Sequence, residues 1–272
     1  MATKVILVIL DGLNYQVAHD CMGYLQGLTE SGHATLYSMN SELPSMSRPL
    51  YECILTGIPP VISGIVNNNI VRLSTAESIF SLARKANKVT AAAAYYWVSE
   101  LYNSAPYQPQ RDRFTLNSHH PIQYGYFYHT DHYPDDHLLI DAENLRQRFD
   151  PDFLLIHPMN IDDSGHKYGL DSAQYRNTAR RTDSILSHYL PTWREQGYQI
   201  LITSDHGMNN DCSHGGVLPE ERQVPLWVIG SAFSHQPDLR VPQTALCGSI
   251  CHLLAIEYAN KSICKALLKG TK

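Results

Sequence analysis

The chain has 272 residues, of which 43% are hydrophobic and 17% charged, and its formal net charge is −5. This composition is typical of a soluble globular protein and excludes a largely disordered or fibrous chain. The acidic balance and the lack of a long basic run give no support for binding to duplex nucleic acid or to an anionic membrane surface, so we expect a small-molecule partner.

The first predicted element is a short apolar run, Val5 to Leu10, which ends at Asp11. Such a short run is neither a signal peptide nor a membrane span, and no small-residue cleavage pattern follows it. The 6 cysteines show no framework spacing and no CxxC pair, which is typical of reduced thiols. We therefore expect a cytoplasmic protein without a transmembrane segment.

Apolar runs and helix-like stretches alternate along the rest of the chain. Near-continuous apolar runs predict strands buried on both faces, and apolar residues at spacings of three and four predict helices between them. We therefore predict an α/β fold: a three-layer sandwich with a mostly parallel central sheet flanked by helices, forming a single domain over residues 1–272. The predicted strands are Val5–Leu10, Val89–Tyr96, Phe153–Ile156, Gln199–Thr203 and Val224–Ile229, and the predicted helices include Ser78–Lys88, Ser172–His188 and Thr244–Ile256.

The stretch from Tyr95 to His137 differs in composition from the rest of the chain. It holds many of the Tyr and His residues, several prolines and little apolar periodicity. We interpret residues 95–137 as an insertion that forms part of a pocket wall or a small cap. The alternative is a surface loop whose aromatic side chains pack on the domain.

Acidic residues follow three of the predicted strands. Asp11 comes directly after the first strand, Asp205 and His206 follow the fourth, and Asp162 and His166 come shortly after the third. One acid at a strand end is more often a helix cap than a metal ligand. Ligands of open parallel sheets bind beyond the carboxyl ends of the strands, so three such ends in one sheet indicate a shared site.

The residue types at these strand ends indicate the kind of ion. Mixed Asp and His ligands suit a borderline divalent ion such as zinc, whereas oxygen-only clusters suit magnesium or calcium. His214 is a further candidate ligand because it precedes two glycines that allow close backbone packing. Alone, His214 reads as an ordinary loop histidine.

The segment from Leu43 to Gly57 has the pattern of a loop that enters a helix. A hydroxyl at a helix N-terminus lies where a phosphate and its own alkoxide are stabilised. Ser45 and Ser47 are the candidates. Without other observations, plain N-capping explains both residues equally well.

Short motifs with these residues occur in one order along the chain, and together they resemble the alkaline phosphatase superfamily. Within it they are most similar to the branch of nucleotide pyrophosphatases and phosphodiesterases, from residue 5 to about residue 256. The motifs are Leu-Asp11-Gly, Pro-Ser-Met-Ser47-Arg-Pro with Leu-Thr-Gly57, Gly-Ile-Val-Asn-Asn68, Asp162-Asp-Ser-Gly-His166, Ser-Asp205-His206-Gly-Met and His214-Gly-Gly.

The resemblance implies a metal-dependent phosphoester hydrolase with two divalent ions, zinc or alternatively manganese. Ser47 would attack phosphorus and form a phosphoserine intermediate, which water then hydrolyses. Asn68, or Asn67 if the register slips by one, would donate a hydrogen bond to a non-bridging phosphate oxygen. The implied ligands are Asp11, Asp205 and His206 with the Ser47 oxygen for one ion, and Asp162, His166 and His214 for the other.

Position 48 departs from the pattern of this branch. Nucleotide-cleaving members usually have Thr-Phe-Pro-Asn-His around the nucleophile, whereas this chain has Ser47-Arg-Pro-Leu-Tyr51. The aromatic residue used against a nucleobase is therefore missing. Arg48 either points away or offers a cation to phosphate, and Trp97 is a candidate replacement aromatic. We take Arg48, Asn68 and Trp97 as candidate substrate-binding residues.

Several functions are compatible with these residues. A phosphodiesterase or nucleotide pyrophosphatase ranks first, acting on a small phosphoester such as a nucleotide. A phosphomonoesterase or phosphonate hydrolase could use the same two-metal site. A metal-stabilised binding protein without catalysis is disfavoured because every ligand and the nucleophile are retained. Sulfatase chemistry is disfavoured because its signature requires arginine where this chain has Tyr51.

Overall fold

The computed structural model of the chain describes residues 3–258 and 261–270. Within these residues the strands are β1 (Val5–Ile9), β2 (Thr35–Asn40), β3 (Thr90–Tyr95), β4 (Phe114–Leu116), β5 (Tyr124–Tyr128), β6 (Phe153–Ile156), β7 (Gln199–Thr203) and β8 (Gln223–Ile229). The helices are α1 (Tyr15–Cys21), α2 (Gly23–Glu30), α3 (Ser47–Thr56), α4 (Pro60–Ser63), α5 (Ile79–Lys85), α6 (Tyr96–Tyr102), α7 (Pro109–Asp112), α8 (Asp135–Phe149), α9 (Asn160–Tyr168), α10 (Ala173–Glu195), α11 (Pro219–Arg222) and α12 (Ala245–Leu253), followed by a 3-10 turn at Lys265–Leu267.

All the strands of the described chain belong to one sheet, in the order β2-β8-β7-β1-β6-β3-β5-β4. The central pairs from β7 to β5 are parallel, with Val5 opposite Phe153 on one side and Gln199 on the other. Antiparallel pairs form the two edges, where β8 joins β7 and β2, and β4 joins β5. The predicted mostly parallel α/β sheet is therefore confirmed.

Helices cover both faces of this sheet. The buried side chains of β1 alternate between two apolar clusters, Leu7 packing into one and Val8 into the other. Helices α3, α5 and α12 contribute to the first cluster, and α1, α2, α8 and α10 to the second. Because each fully buried aliphatic side chain contributes about 1.5–3 kcal/mol, these two clusters hold the three layers together.

The strands at the centre of the sheet match the predicted ones closely. The predictions Phe153–Ile156 and Gln199–Thr203 agree with β6 and β7 at both ends. Strands β2, β4 and β5 were not predicted. The last two lie within residues 95–137 and extend the sheet beyond β3. Whether this segment also acts as a cap stays a prediction.

A tight turn follows β1 and shapes the edge of the sheet where the strands end. Gly12 has a φ of +70°, and a Cβ there would lie 2.7 Å from the Oδ1 atom of Asp162. Only glycine combines this backbone conformation with so close an approach, and it lets α9 reach the end of β1.

Within the described residues no helix is both long and apolar enough to cross a membrane. All six cysteines are free thiols.

Candidate active site

Two neighbouring parallel strands bring the first group of predicted ligands together. Asp11 follows β1, and Asp205 and His206 follow β7, so all three lie at the same edge of the sheet. The Nε2 atom of His206 is 3.5 Å from Oδ1 of Asp11 and 3.3 Å from Oδ2 of Asp205. All three side chains are fully buried.

The second group lies directly beside the first. Helix α9 carries Asp162 and His166 one turn apart, with 3.4 Å between His166 Nε2 and Asp162 Oδ2. The Nε2 atom of His214 lies 3.8 Å from the other oxygen of Asp162. The rings of His206 and His214 stack at 3.6 Å, which joins the two groups into one continuous cluster. His206 forms a compact set with Asp11 and Asp205 and another with Asp162 and His214.

The three histidines of this cluster share one arrangement. In His166, His206 and His214 the Nδ1 atom lies 2.8–3.0 Å from a backbone carbonyl oxygen, to which it donates its proton. The Nε2 atoms are thereby left as lone-pair acceptors that point into the cluster. The Nε2 atoms of His166 and His214 face each other at 3.2 Å, and a metal ion or a proton between them would relieve the repulsion of two lone pairs.

The carboxylates give an independent test of whether the site fits metal ions. Among the described residues, Asp11 Oδ1, Asp162 Oδ1 and Asp205 Oδ2 are buried without a hydrogen-bond partner. Buried polar groups without partners are rare and costly, and buried carboxylates are normally paired or bound to metal. Three bare oxygens among three Nε2 lone pairs form a donor set that suits two zinc-like ions.

Burial shifts the pKa values of these groups toward their neutral forms. It raises the pKa of Asp11 to about 7 and the pKa values of Asp162 and Asp205 well above their usual range. Burial also lowers the pKa of His214 to about 4 and the pKa of His206 well below its usual value. Neutral imidazoles are the form that binds metal, so His206 and His214 are already in the ligand state at neutral pH.

Ser47 stands at the first position of α3, and its Oγ atom lies 3.0 Å from Nε2 of His206. Ser45, the alternative hydroxyl, is engaged elsewhere. Its Oγ atom donates to the carbonyl oxygen of Gly216 at 2.8 Å and accepts from the N–H of Gly215 at 3.1 Å. The structure therefore brings Ser47, and not Ser45, to the ligand cluster.

Asn67 and Asn68, which follow α4, also differ in whether their side chains lie near the cluster. Asn68 accepts the N–H of Arg48 with its Oδ1 atom at 3.1 Å, so its amide group lies at the N-terminus of α3 beside Ser47. The Oδ1 atom of Asn67 accepts the N–H of Asn69 in a local turn. This placement favours Asn68 over Asn67 as the donor to a phosphate oxygen.

Arg48 has protein partners rather than an open position beside the cluster. Its guanidinium is buried, donates to Glu100 at 2.8 Å and lies 4.6 Å above the ring of Trp97. One face of the half-buried Trp97 is therefore covered by Arg48. A direct contact of either residue with substrate stays a prediction.

Two buried residues at the site were not singled out from the sequence. Tyr51 donates its hydroxyl to Oδ2 of Asp11, and Nε2 of His157 lies 3.0 Å from the same oxygen. His157 directly follows β6, so the strand-end argument could have found it. Tyr51 looks in the sequence like an apolar-face residue of α3 and carries no such signal.

Comparisons with known proteins identify the family that the chain matches. The family described as type I phosphodiesterase / nucleotide pyrophosphatase matches residues 5–221. The human protein named GPI ethanolamine phosphate transferase 2, catalytic subunit, is 23% identical over 271 residues, covering 93% of this chain and 26% of the relative. The Schizosaccharomyces pombe protein named GPI ethanolamine phosphate transferase 2 is 25% identical over 306 residues, covering 99% of this chain and 38% of the relative. The chain thus spans well under half the length of these relatives.

Solved structures show the same fold. Murine ectonucleotide pyrophosphatase / phosphodiesterase 5 superposes with a TM-score of 0.77 at 14% identity, covering 96% of this chain and 97% of the murine chain. An inactive form of that murine protein, solved in complex with AMP, superposes equally well. The human counterpart also has a TM-score of 0.77 and covers 98% of this chain.

Proposed function

The chain belongs to the type I phosphodiesterase / nucleotide pyrophosphatase family, and on that premise we propose that it is a metal-dependent phosphoester hydrolase whose nucleophile is Ser47. The observation that carries the proposal is the convergence of three bare carboxylate oxygens and three Nε2 atoms beside the Ser47 hydroxyl. A structural role for these residues would have left the buried oxygens hydrogen-bonded.

The residues divide between two divalent ions, zinc or alternatively manganese. When bound, such ions would supply Lewis acidity that makes a hydroxyl more acidic and neutralises charge on phosphorus oxygens. The proposed ligands are Asp11, Asp205, His206 and the Ser47 oxygen for one ion, and Asp162, His166 and His214 for the other.

The chain's own residues then account for a two-step reaction. Ser47 loses its proton to solvent, its Oγ atom bonds to phosphorus, and the bond to the leaving alcohol oxygen breaks. The leaving oxygen takes up a proton from water. A water oxygen then bonds to phosphorus on the side opposite Ser47, the phosphorus–Oγ bond breaks, and the proton released from that water regenerates the Ser47 hydroxyl. Asn68 donates its free Nδ2 hydrogen atoms to a non-bridging oxygen throughout both steps.

A phosphodiester or pyrophosphate, such as a nucleotide, is the first candidate substrate. The family and the AMP complex of the murine neighbour support it. The missing aromatic at position 48 and the covered face of Trp97 make stacking on a nucleobase weaker than in the branch's usual pattern. Phosphomonoesters or phosphonates remain alternative substrates for the same centre, and a binding protein without catalysis is the remote alternative.

A second candidate reaction is transfer of the substituted phosphoryl group from Ser47 to the hydroxyl of another alcohol instead of to water. It is favoured by two relatives named ethanolamine phosphate transferases that match 93% and 99% of this chain. Attack on the phosphoserine by an alcohol oxygen requires the same nucleophile and ligands.

The chain spans only part of those relatives, so three expectations stay predictions. They are a cytoplasmic location, the lack of a membrane partner, and a single domain with a cap at residues 95–137.

Rapid-quench mass spectrometry of the zinc-loaded enzyme with bis-aryl and mono-aryl phosphates tests the proposal. We expect a peptide that contains Ser47 and carries a phosphoryl group from the mono-aryl ester or an aryl phosphoryl group from the bis-aryl ester, and we expect faster turnover of the diester. Faster turnover of the monoester would make the enzyme a phosphomonoesterase. Added ethanolamine or glycerol distinguishes transfer from hydrolysis, because an alkyl phosphate product at millimolar alcohol indicates a transferase. The absence of turnover with every ester would overturn the proposal.

A further inference from the structure

Asp11 is held unequally by its two carboxylate oxygens. The Oδ2 atom accepts hydrogen bonds from the Tyr51 hydroxyl and from Nε2 of His157, the latter at 3.0 Å. The Oδ1 atom has no hydrogen-bond partner among the described residues and lies 3.5 Å from Nε2 of His206. Two donors therefore occupy one oxygen while the other faces the ligand cluster.

His157 has the opposite tautomer from the three cluster histidines. The backbone N–H of Tyr95 donates to Nδ1 of His157 at 3.4 Å, so the ring proton is on Nε2 and is donated to Asp11. The backbone of His157 is fixed from two sides. Its N–H donates to the carbonyl of Ala93, and its carbonyl accepts the Tyr128 hydroxyl at 2.7 Å. A ring fixed in this way with its lone pair turned from the cluster acts as a donor and not as a metal ligand.

Tyr51 connects Asp11 to the helix that carries the nucleophile. It lies four residues after Ser47 on α3, which places both on the same face of the helix one turn apart. Its ring packs edge-on against His157 with 4.5 Å between ring centroids, so the two donors also support each other. Rotation of the Asp11 carboxylate would break both hydrogen bonds together.

From these contacts we propose that Tyr51 and His157 are positioning residues that reserve Oδ1 of Asp11 for the ion held with Asp205 and His206. The inference rests on the proposed function, because it concerns the same ion. The partners that orient metal ligands typically change metal affinity by about 10–100-fold when they are removed. Loss of either donor allows the Asp11 carboxylate to rotate. A rotated carboxylate bound to water then competes with the orientation that binds the ion.

The test compares zinc affinity and zinc stoichiometry of the full chain with four variants: Tyr51→Phe, His157→Leu, His157→Gln and Tyr102→Phe. Tyr102 is the matched control because its buried hydroxyl donates to Glu52 at 2.9 Å, away from the ligand cluster. Affinity is measured by competition with a chromogenic chelator, and stoichiometry by inductively coupled plasma mass spectrometry at saturating zinc.

We expect Tyr51→Phe and His157→Leu each to weaken one of the two zinc ions by about 10–100-fold, with two ions still bound at saturation. Tyr102→Phe should match the wild type, and His157→Gln should recover most of the affinity because its amide can donate to Oδ2. In aryl phosphate kinetics, the zinc concentration that gives half-maximal turnover should rise about 10–100-fold in Tyr51→Phe and His157→Leu and match the wild type in Tyr102→Phe, whereas a loss of folded protein would only lower kcat.

Equal zinc affinity in Tyr51→Phe and Tyr102→Phe overturns the role of Tyr51. A stoichiometry of one ion in His157→Leu overturns the role of His157 and makes it a ligand. If either of these results is found while the wild type still binds zinc and cleaves aryl phosphates, only the inference fails. If the wild type binds no divalent ion, the proposed function itself fails.

Discussion

The Oγ atom of Ser47 lies 3.0 Å from Nε2 of His206, whereas Ser45, two residues earlier, directs its hydroxyl to the carbonyl oxygen of Gly216. If Ser47 is the nucleophile as proposed, Ser47→Ala should lower turnover of an activated aryl phosphate by roughly three orders of magnitude or more, because it removes the proposed attacking atom. Zinc content and the circular dichroism spectrum should stay close to those of the wild type.

Ser45→Ala is the matched control for this prediction. The carbonyl oxygen of Ser45 accepts the Nδ1 proton of His214, and its side chain fixes the following Gly215. The variant keeps the attacking atom and the backbone carbonyl, so we expect a fall in turnover of about tenfold at most. Near wild-type turnover of Ser47→Ala would move the nucleophile to Ser45 or to water.

Zinc binding should release protons near neutral pH. In the metal-free protein burial raises the pKa of Asp11 to about 7, so this carboxyl is largely protonated below that pH. A ligand carboxyl must lose its proton to bind metal, and zinc affinity should therefore fall as the pH is lowered below about 7. Titration calorimetry at pH 6.5 in two buffers of different ionisation enthalpy measures the released protons.

Chelation supplies the companion measurement. Prolonged treatment with a chelator and dialysis should abolish turnover, and added zinc should restore it, because three carboxylate oxygens of the site have no hydrogen-bond partner among the described residues. Calorimetric heats that do not depend on the buffer at pH 6.5 would contradict the proton release. Turnover that survives chelation would remove the metal-dependent mechanism.

The sequence predicted the central part of this site because the central strands are continuous apolar runs. Strands β1, β6 and β7 are buried on both faces, so their ends can be located from residue type alone, and the candidate ligands follow from those ends. The edge strand β2 alternates buried and exposed residues, and β5 mixes tyrosines with a glycine. Neither shows the apolar run used for the prediction.

Contacts between distant segments could not be predicted in the same way. The pair of Arg48 and Glu100 joins α3 to α6 across 52 positions, and no local pattern links the two residues. The sequence offered Arg48 as a cation for phosphate because it follows Ser47. In the structure the guanidinium pairs with a buried carboxylate and lies over an aromatic ring, and its contact with phosphate stays a prediction.

The buried ion pair of Arg48 and Glu100 predicts a change in stability that distinguishes a structural role of Arg48 from phosphate binding. Arg48→Met leaves the carboxylate of Glu100 buried without its partner, which should lower the free energy of unfolding by about 3–5 kcal/mol. The double variant Arg48→Met/Glu100→Gln should recover a large part of this loss. Urea denaturation of the wild type, both single variants and the double variant gives the coupling energy.

Kinetics of the same four proteins complete the comparison. Phosphate binding by Arg48 would raise KM for an aryl phosphate in both variants that lack the arginine and leave Glu100→Gln unchanged. A purely structural pair predicts wild-type KM values in all four proteins, because a loss of folded protein lowers turnover without changing KM. Additive stability losses in the four proteins would show that the two side chains are not coupled.

Asp135 gives a prediction away from the catalytic cluster. Burial raises its pKa to about 6, although Thr182 and the N–H of Asn160 donate hydrogen bonds to its carboxylate. Its folded-state pKa thus lies above the unfolded value near 3.8, so the stability contributed by proton uptake is present below that value and is lost as the pH rises through 6. At pH 7 the charged form of Asp135 therefore lowers the free energy of unfolding.

Asp135→Asn should remove this cost and raise the free energy of unfolding at pH 7 by about 1–3 kcal/mol. The asparagine oxygen can still accept the N–H of Asn160, and its amide can donate to the Thr182 hydroxyl, whose proton can then go wholly to the carbonyl of Thr178 at 3.1 Å. Urea denaturation at pH 4.5 and pH 7 should show a smaller pH dependence than in the wild type. Asp136→Asn, at the same helix end, is the control and should not raise the free energy of unfolding. An unchanged free energy of unfolding of Asp135→Asn at pH 7 would show that the buried charge carries no cost.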